Sequence, residues 1–278
     1  MSFTHFLKNG ELLPLSEATI SIRNIQFQYG FGVYESLRVR NGIIYFIEQH
    51  AERLVHSAEI IGLEHPYITA QIVAYIRDLV KKNDAQNCNI KILLIGGKAA
   101  SDTFLFILPL QPLFPDRKLY SQGATVETVH YRRFLPNAKT LNMLPSYLAY
   151  SKAQKHGHYD VLLLDDDDTI LEGTRTNFFA IKGKTLITAP KATVLEGVVR
   201  HAVMIIAQKN GFTVQEEKIF FKDLFAFDGA FITSTSSKIV PLRQIDTFQL
   251  EIPQIVRELM QYYDAFLDSC NGVFPEKE

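Results

Sequence analysis

Short runs with a two-residue apolar period alternate with longer runs of helical period from one end of this chain to the other, and that alternation most constrains its fold. Tyr34–Val39 and Ile43–Ile47 read as strands joined by Arg40-Asn41-Gly42, because Asn and Gly both tolerate the positive φ that a tight hairpin requires. His50–Gly62 then puts Leu54, Ala58 and Ile61 on one helical face, and Thr69–Lys82 does the same with Ile72, Val73, Ile76, Leu79 and Val80. Ile90–Ile95 and Thr103–Leu108 return to strand spacing. Further on come a strand over Ala124–His130, a helix over Pro145–His156, and strands over Val161–Leu164, Asn177–Ile181 and Leu186–Thr188. A helix over Val198–Asn210, stopped by Gly211, follows them. Strand and helix stay interleaved throughout, so the expected class is α/β or mixed α+β.

At 278 residues, 47% of them hydrophobic, the chain is long enough for two cores. Leu110-Gln-Pro-Leu-Phe-Pro-Asp116 carries two prolines that suit neither a helix interior nor a central strand. The expected division is therefore an N-terminal α/β domain over 1–110, a linker over 111–122 and a C-terminal α/β domain over 123–278. Twenty-nine basic and 30 acidic side chains leave a formal charge of −1, which offers no basic field for nucleic acid. Cys88 and Cys270 are far apart and match no metal-ligand spacing, so neither a zinc site nor a disulfide framework is expected, and a reducing compartment is. The N-terminal residues lack the pattern of a signal peptide and no run approaches a membrane span, which points to the cytoplasm.

Some placements suggest chemistry. Gly197 directly precedes an apolar-periodic helix, which leaves the amides of Val198 and Val199 at its positive end, a generic anion site or an ordinary loop. Thr233-Ser-Thr-Ser-Ser237 follows the apolar Ala230-Phe231-Ile232, so its hydroxyls fall at a strand end, able to hold a phosphate or merely to close a turn. Glu172 and Asn177 stand between apolar strands, where a solvated hairpin is the plain alternative. Lys139, taken alone, reads as a surface lysine.

Together these pieces resemble a known family. Tyr29-Gly-Phe-Gly-Val-Tyr-Glu-Ser-Leu-Arg38, His50-Ala-Glu-Arg53 with Ser57-Ala58, Lys139-Thr-Leu-Asn142, Glu172-Gly173 with Asn177-Phe178, Leu195-Glu-Gly197-Val-Val-Arg200 and Ser234-Thr-Ser-Ser-Lys-Ile-Val-Pro241 look like the motifs of class IV, or fold-type IV, pyridoxal-phosphate enzymes. They occur in the family's order and cover nearly the whole chain. That family contains branched-chain and D-amino-acid aminotransferases and aminodeoxychorismate lyase.

The resemblance implies two α/β domains with pyridoxal 5′-phosphate between them, no metal, and a homodimer. It implies that Lys139 carries the cofactor as an aldimine and shuttles the substrate proton. Glu172 would sit on the pyridine nitrogen. Arg53, the amides of Val198 and Val199, and the Thr235 hydroxyl would hold the phosphate, with Asn177 also at the cofactor. Many relatives have Thr where this chain has Val199, so one hydroxyl contact is missing.

Two features depart from the members the chain otherwise resembles. Met143 follows Asn142 where branched-chain enzymes usually place a tyrosine. Ile95-Gly-Gly-Lys-Ala-Ala-Ser-Asp-Thr103 lacks the arginine with which D-amino-acid aminotransferases and the lyase bind a substrate carboxylate. Lys98, Arg38 and the amide of Ser236 are the substitutes, with Tyr29 and Tyr34 as further substrate contacts. The expected function is transamination between an amino acid and a 2-oxo acid. The alternatives are the lyase, which yields 4-aminobenzoate and pyruvate, and a cofactor-binding homologue without activity.

Overall fold

The computed structural model describes residues 3–112 and 115–276, and the chain divides into two compact units. The first comprises Met1–Leu113, Ala138–Asn142 and Asn271–Phe274; the second comprises Phe114–Asn137, Met143–Cys270 and Pro275–Glu278.

The first unit is a six-stranded antiparallel sheet with two helices on one face. Its strands are β1 (His5–Lys8), β2 (Glu11–Pro14), β3 (Gly32–Arg40), β4 (Ile43–Ile44), β5 (Asn87–Ile95) and β6 (Phe104–Leu110), in the order β2-β1-β6-β5-β3-β4. A single helical turn, α1 (Ile25–Gln28), precedes β3, while α2 (Ile47–Ile60) and α3 (Thr69–Lys82) form the covering layer. Period-two alternation sends Val33, Leu37 and Val39 of β3 and Ile90, Ile92 and Leu94 of β5 into one core with Ala51, Leu54, Ile72 and Ile76 of the helices. Tyr34, Ser36 and Arg38 of β3 and Lys91 and Leu93 of β5 consequently point to the face turned away from α2 and α3.

The second strand of the β3–β4 hairpin is shorter than the sequence suggests. Phe46 adopts a left-handed backbone, φ 58° and ψ 39°, which ends strand pairing at Ile44 and starts α2 at Ile47 rather than His50. The aromatic ring of Phe46 is buried against Phe274 with centroids 5.3 Å apart, and its N–H donates to the carbonyl of Gly272.

The second unit holds α4 (Arg117–Gln122), β7 (Ala124–His130), α5 (Leu144–Lys155), β8 (Asp160–Leu164), β9 (Thr169–Gly173), β10 (Asn177–Lys182) and β11 (Thr185–Thr188). It continues with α6 (Val198–Lys209), β12 (Thr213–Glu216), β13 (Ile219–Phe220), β14 (Gly229–Ser234), β15 (Lys238–Ile245), β16 (Phe248–Gln249) and α7 (Gln254–Ser269). The sheet runs β12-β11-β10-β14-β15-β7-β8-β9-β13, and a further pairing of β10 with β9 closes six of these strands into a ring. That closing pair is Asn177 opposite Glu172. Phe178, Ala180, Ile232, Val240 and Leu162 fill the core within it.

Two expectations are corrected here. The stretch expected as a linker over 111–122 contains α4, capped by the Asp116 carboxylate accepting from the Lys118 N–H; Leu113 and Phe114 lie outside the described residues. Residues 138–142, expected in the C-terminal domain, belong to the first unit, because Gly32–Tyr34, the part of the β3 edge that β4 does not cover, gives them backbone partners.

Candidate active site

In the first unit, Lys139 is fixed by its backbone on both sides. The Tyr34 N–H donates to its carbonyl at 2.9 Å, the Leu141 N–H donates to the Gly32 carbonyl, and Val33 bridges to Thr140, so the segment extends the β3 edge. Its own N–H donates to the buried Ser57 hydroxyl of α2 at 3.1 Å. Gly32 permits the close approach: a Cβ there would meet the Leu94 carbonyl at 2.6 Å and Leu141 at 2.9 Å. The Lys139 amine stands 4.7 Å from the centroid of the buried Tyr34 ring.

On the helix face of the same strand, Arg53 of α2 makes a fork to Glu35, Nε to Oε1 at 2.6 Å and Nη2 to Oε2 at 2.9 Å. His50 Nδ1 lies 2.8 Å from Glu35 Oε2. Burial by itself would raise the Glu35 pKa, but Arg53 and His50 outweigh it and hold the carboxyl well below its usual range. Burial pushes His50 down against the pull of Glu35, so the ring is neutral and donates Nδ1–H to the carboxylate. Arg53 is thereby locked in one orientation by Glu35, a partner that its sequence neighbours do not reveal.

The second unit carries the carboxylate. Glu172 is 3% exposed, at the end of β9. Its Oε2 accepts from the Leu195 N–H at 3.3 Å and from Asn177 Nδ2 at 3.4 Å, and Arg133 Nε lies 3.3 Å from its Oε1 in an ion pair outside hydrogen-bond geometry. Arg133 is itself anchored, donating through Nη2 to the carbonyls of Gly173 and Thr174. Asn177 also donates to the Leu195 carbonyl at 2.8 Å, which ties the loop before α6 to the sheet.

That loop ends at Gly197, the N-cap of α6, which has no side chain to cap the first amides. Its φ of −65° and ψ of 132° suit any residue, so glycine is there for space: a Cβ would collide with the Asn177 Oδ1. Val198 and Val199 are buried behind it. Thr235 and Ser236 lie in the turn leaving β14, a strand against which α6 packs. Thr233, on β14 opposite Asn177, has a buried hydroxyl that meets no hydrogen-bond partner among the described residues. An uncapped helix start can take an anion, and the buried Glu172 carboxylate can take a protonated nitrogen.

The substrate candidates fare unevenly. Tyr34 is beside Lys139 and Arg38 shares its sheet face, whereas Tyr29 is 81% exposed beyond α1. Lys98 is exposed in a separate cleft of about 460 Å³ with Asn9, Arg23, Asn24 and Asp102. Sequence reasoning missed Arg133, which sits in no recognisable motif and matters only through Glu172, a residue distant in sequence.

The chain is a mixed α/β protein whose first unit holds a lysine at a sheet edge and whose second unit holds a buried carboxylate and, separately, a helix start at Gly197. Residues 32–245 match the family model for amino-transferase class IV, and the chain belongs to that family. It is 28% identical over 271 residues to a putative branched-chain-amino-acid aminotransferase of Methanocaldococcus jannaschii, covering 94% of each chain. It is also 28% identical over 251 residues to the D-alanine aminotransferase of Bacillus licheniformis, covering 86% of this chain and 88% of the relative. Its fold is that of the branched-chain amino acid aminotransferase of Escherichia coli, with a TM-score of 0.89 at 23% identity over 99% of this chain and 97% of the other. The holo form of the Thermobaculum terrenum branched-chain enzyme, solved with pyridoxal phosphate, matches with a TM-score of 0.83 at 25% identity, over 95% and 94%. The chain is an enzyme of the aminotransferase class. Among the described residues no helix is long and apolar enough to cross a membrane.

Proposed function

We propose that this aminotransferase uses pyridoxal 5′-phosphate held through Lys139 to move an amino group between an amino acid and a 2-oxo acid. The observation that carries the reading is Lys139 itself, its backbone fixed by Ser57 and the β3 edge and its amine presented beside Tyr34. The cofactor, when bound, supplies a carbonyl for that amine and a ring that accepts the electron pair of a broken substrate Cα–H bond.

Lys139 would hold the cofactor through its amine and would move the substrate Cα proton. Glu172 holds the ring nitrogen protonated, and Arg133 and Asn177 fix its carboxylate. The Val198 and Val199 amides and the Thr235 hydroxyl of the second unit would take the phosphate; Arg53, which Glu35 orients in the first unit, is the guanidinium suited to the same kind of anion. Asn177 acts by joining Glu172 to the loop before α6.

A homodimer is part of the proposal. Phe134, Leu144, Tyr147 and Leu148 in the second unit, and Ile22, Ile25 and Phe27 in the first, are large apolar side chains left exposed in the single chain, as a partner would require. Cys88 and Cys270, widely spaced and not joined in a disulfide, fit a cytoplasmic setting.

The test is to add single amino donors to the cofactor-loaded protein and follow the cofactor's absorption together with the products. The reading expects a 2-oxo acid from the donor and a return of the starting spectrum on adding a 2-oxo acid acceptor. Formation of 4-aminobenzoate and pyruvate from one substrate would point to the lyase, and an inert spectrum across donors would point to a cofactor-binding homologue.

A further inference from the structure

Asp160, the first residue of β8, is fully buried, and among the described residues it has no cation in an ion pair. A carboxylate withdrawn from water is costly unless its lone pairs find donors. Oδ1 accepts from the Val161 N–H at 2.8 Å and from the Thr174 hydroxyl, and Oδ2 accepts from the Thr176 hydroxyl at 2.8 Å. Both threonines are buried and lie in the turn over 173–176, which joins Glu172 to Asn177. Inside that turn the Gly173 N–H donates to the Thr176 carbonyl at 2.8 Å, and the Thr174 N–H donates to the Val161 carbonyl at 2.9 Å. Gly173 allows the close fit, since a Cβ there would collide with Thr176 Oγ1 and stand 2.6 Å from Asp160 Oδ2.

We propose that Asp160 is a positioning residue for the reaction: by drawing in the hydroxyls of Thr174 and Thr176 it gives the turn one shape, and that shape sets where the Glu172 carboxylate stands. This rests on Glu172 being the partner of the cofactor's ring nitrogen.

The chemistry of these side chains favours positioning over mere chain reversal. A carboxylate has no hydrogen to donate, so both hydroxyls must point at Asp160 and neither rotates freely. Ordinary hairpin turns reverse the chain with solvated residues and no buried charge. What the buried group adds is a fixed backbone at Glu172 and Asn177, the pair that closes the strand ring. That matters because the hydrogen bonds Glu172 accepts from Leu195 and Asn177 are long, 3.3 and 3.4 Å, and bonds of that length orient a carboxylate weakly. Its direction then depends on where its backbone is held. Arg133 grips the same turn by the carbonyls of Gly173 and Thr174, so the hydroxyls and the carbonyls are both tied.

The experiment sets Thr176→Val against Thr176→Ser. Valine keeps the packing volume and loses the hydroxyl, whereas serine keeps the hydroxyl and loses a methyl. A residue that only fills space tolerates valine better; the proposal requires serine to be the better substitute. In cofactor-free protein, hydrogen exchange at the Leu195 amide should accelerate about tenfold more than at the β14 core amides in Thr176→Val, and should follow them in Thr176→Ser. In cofactor-loaded protein, the nitrogen-15 resonance of the ring nitrogen should move from the protonated toward the neutral position in Thr176→Val and keep the parent position in Thr176→Ser. With valine, kcat should fall about tenfold while KM changes little. Leu195 exchange that merely tracks the β14 amides, or an unmoved nitrogen resonance in Thr176→Val, overturns the proposal.

Should Thr176→Val not fold, Thr174→Val decides the matter, because Oδ1 keeps the Val161 N–H there. The same shifts at smaller size are expected, and their absence overturns the proposal. Failure of the underlying reading of Glu172 looks different: the ring nitrogen would be neutral in the parent itself, whatever the exchange at Leu195 shows.

Discussion

Glu172 tests whether the buried carboxylate works as a charge or as a structural hydrogen-bond acceptor. Leu195 and Asn177 donate to it and Arg133 stands beside it, so Glu172→Gln would keep the size and much of the bonding while removing the charge. The expected outcome is a protein that still takes up cofactor but removes the substrate Cα proton about 10² to 10³ times more slowly. Single-turnover kinetics with a reactive donor measure this, and an unchanged rate would assign Glu172 to the β9–β10 hairpin alone. Glu172, Lys139 and Gly197 stand out in the sequence as candidates because each sits in a motif with characteristic neighbours. Arg133 was not legible, because its place shows only where its guanidinium meets Glu172.

The start of α6 gives the corresponding test for an element. Gly197→Ala would crowd Asn177 Oδ1 and come within 3.2 Å of the Arg200 Cβ, although the backbone accepts alanine. We expect a stability loss of about 1–3 kcal/mol from crowding and weaker cofactor retention, because the free amides shift with the loop. Equilibrium dialysis of cofactor and urea unfolding would check both, and retention equal to the parent would show that the loop before α6 does not set the anion site. Most of the interleaved elements were legible from apolar period. The β4–α2 junction was not, since the left-handed Phe46 depends on packing with Phe274 near the other end of the chain. Helix α7 escaped the reading although Val256, Leu259, Tyr263 and Leu267 have helical spacing. The ring closure through Glu172 and Asn177 is a long-range pairing that local period cannot announce.

Across the whole molecule, the buried Glu35, His50 and Arg53 group links folding to pH. The native state holds His50 neutral below its ordinary pKa of 6.5, so its contribution is full above that value and is lost as pH falls through it. Glu35 is likewise depressed from 4.5, so its contribution disappears further down, as pH falls below that value. Urea midpoints should therefore decline from about pH 6.5 downward and more steeply below about pH 4.5, with His50→Gln flattening the first phase. A parent profile that stays level between those two values would contradict the buried neutral histidine. The two-unit division was legible in outline from the prolines of 110–116. The return of residues 138–142 to the first unit was not, because it is decided by the part of the β3 edge that β4 does not cover.

The account as a whole depends on which lysine carries the cofactor, and borohydride reduction of the loaded protein followed by peptide mapping tests that most directly. The predicted result is a stable pyridoxyl label on the peptide containing Lys139, absent in Lys139→Ala. A label on Lys91, its neighbour across the Tyr34 ring, or on any other lysine would contradict it.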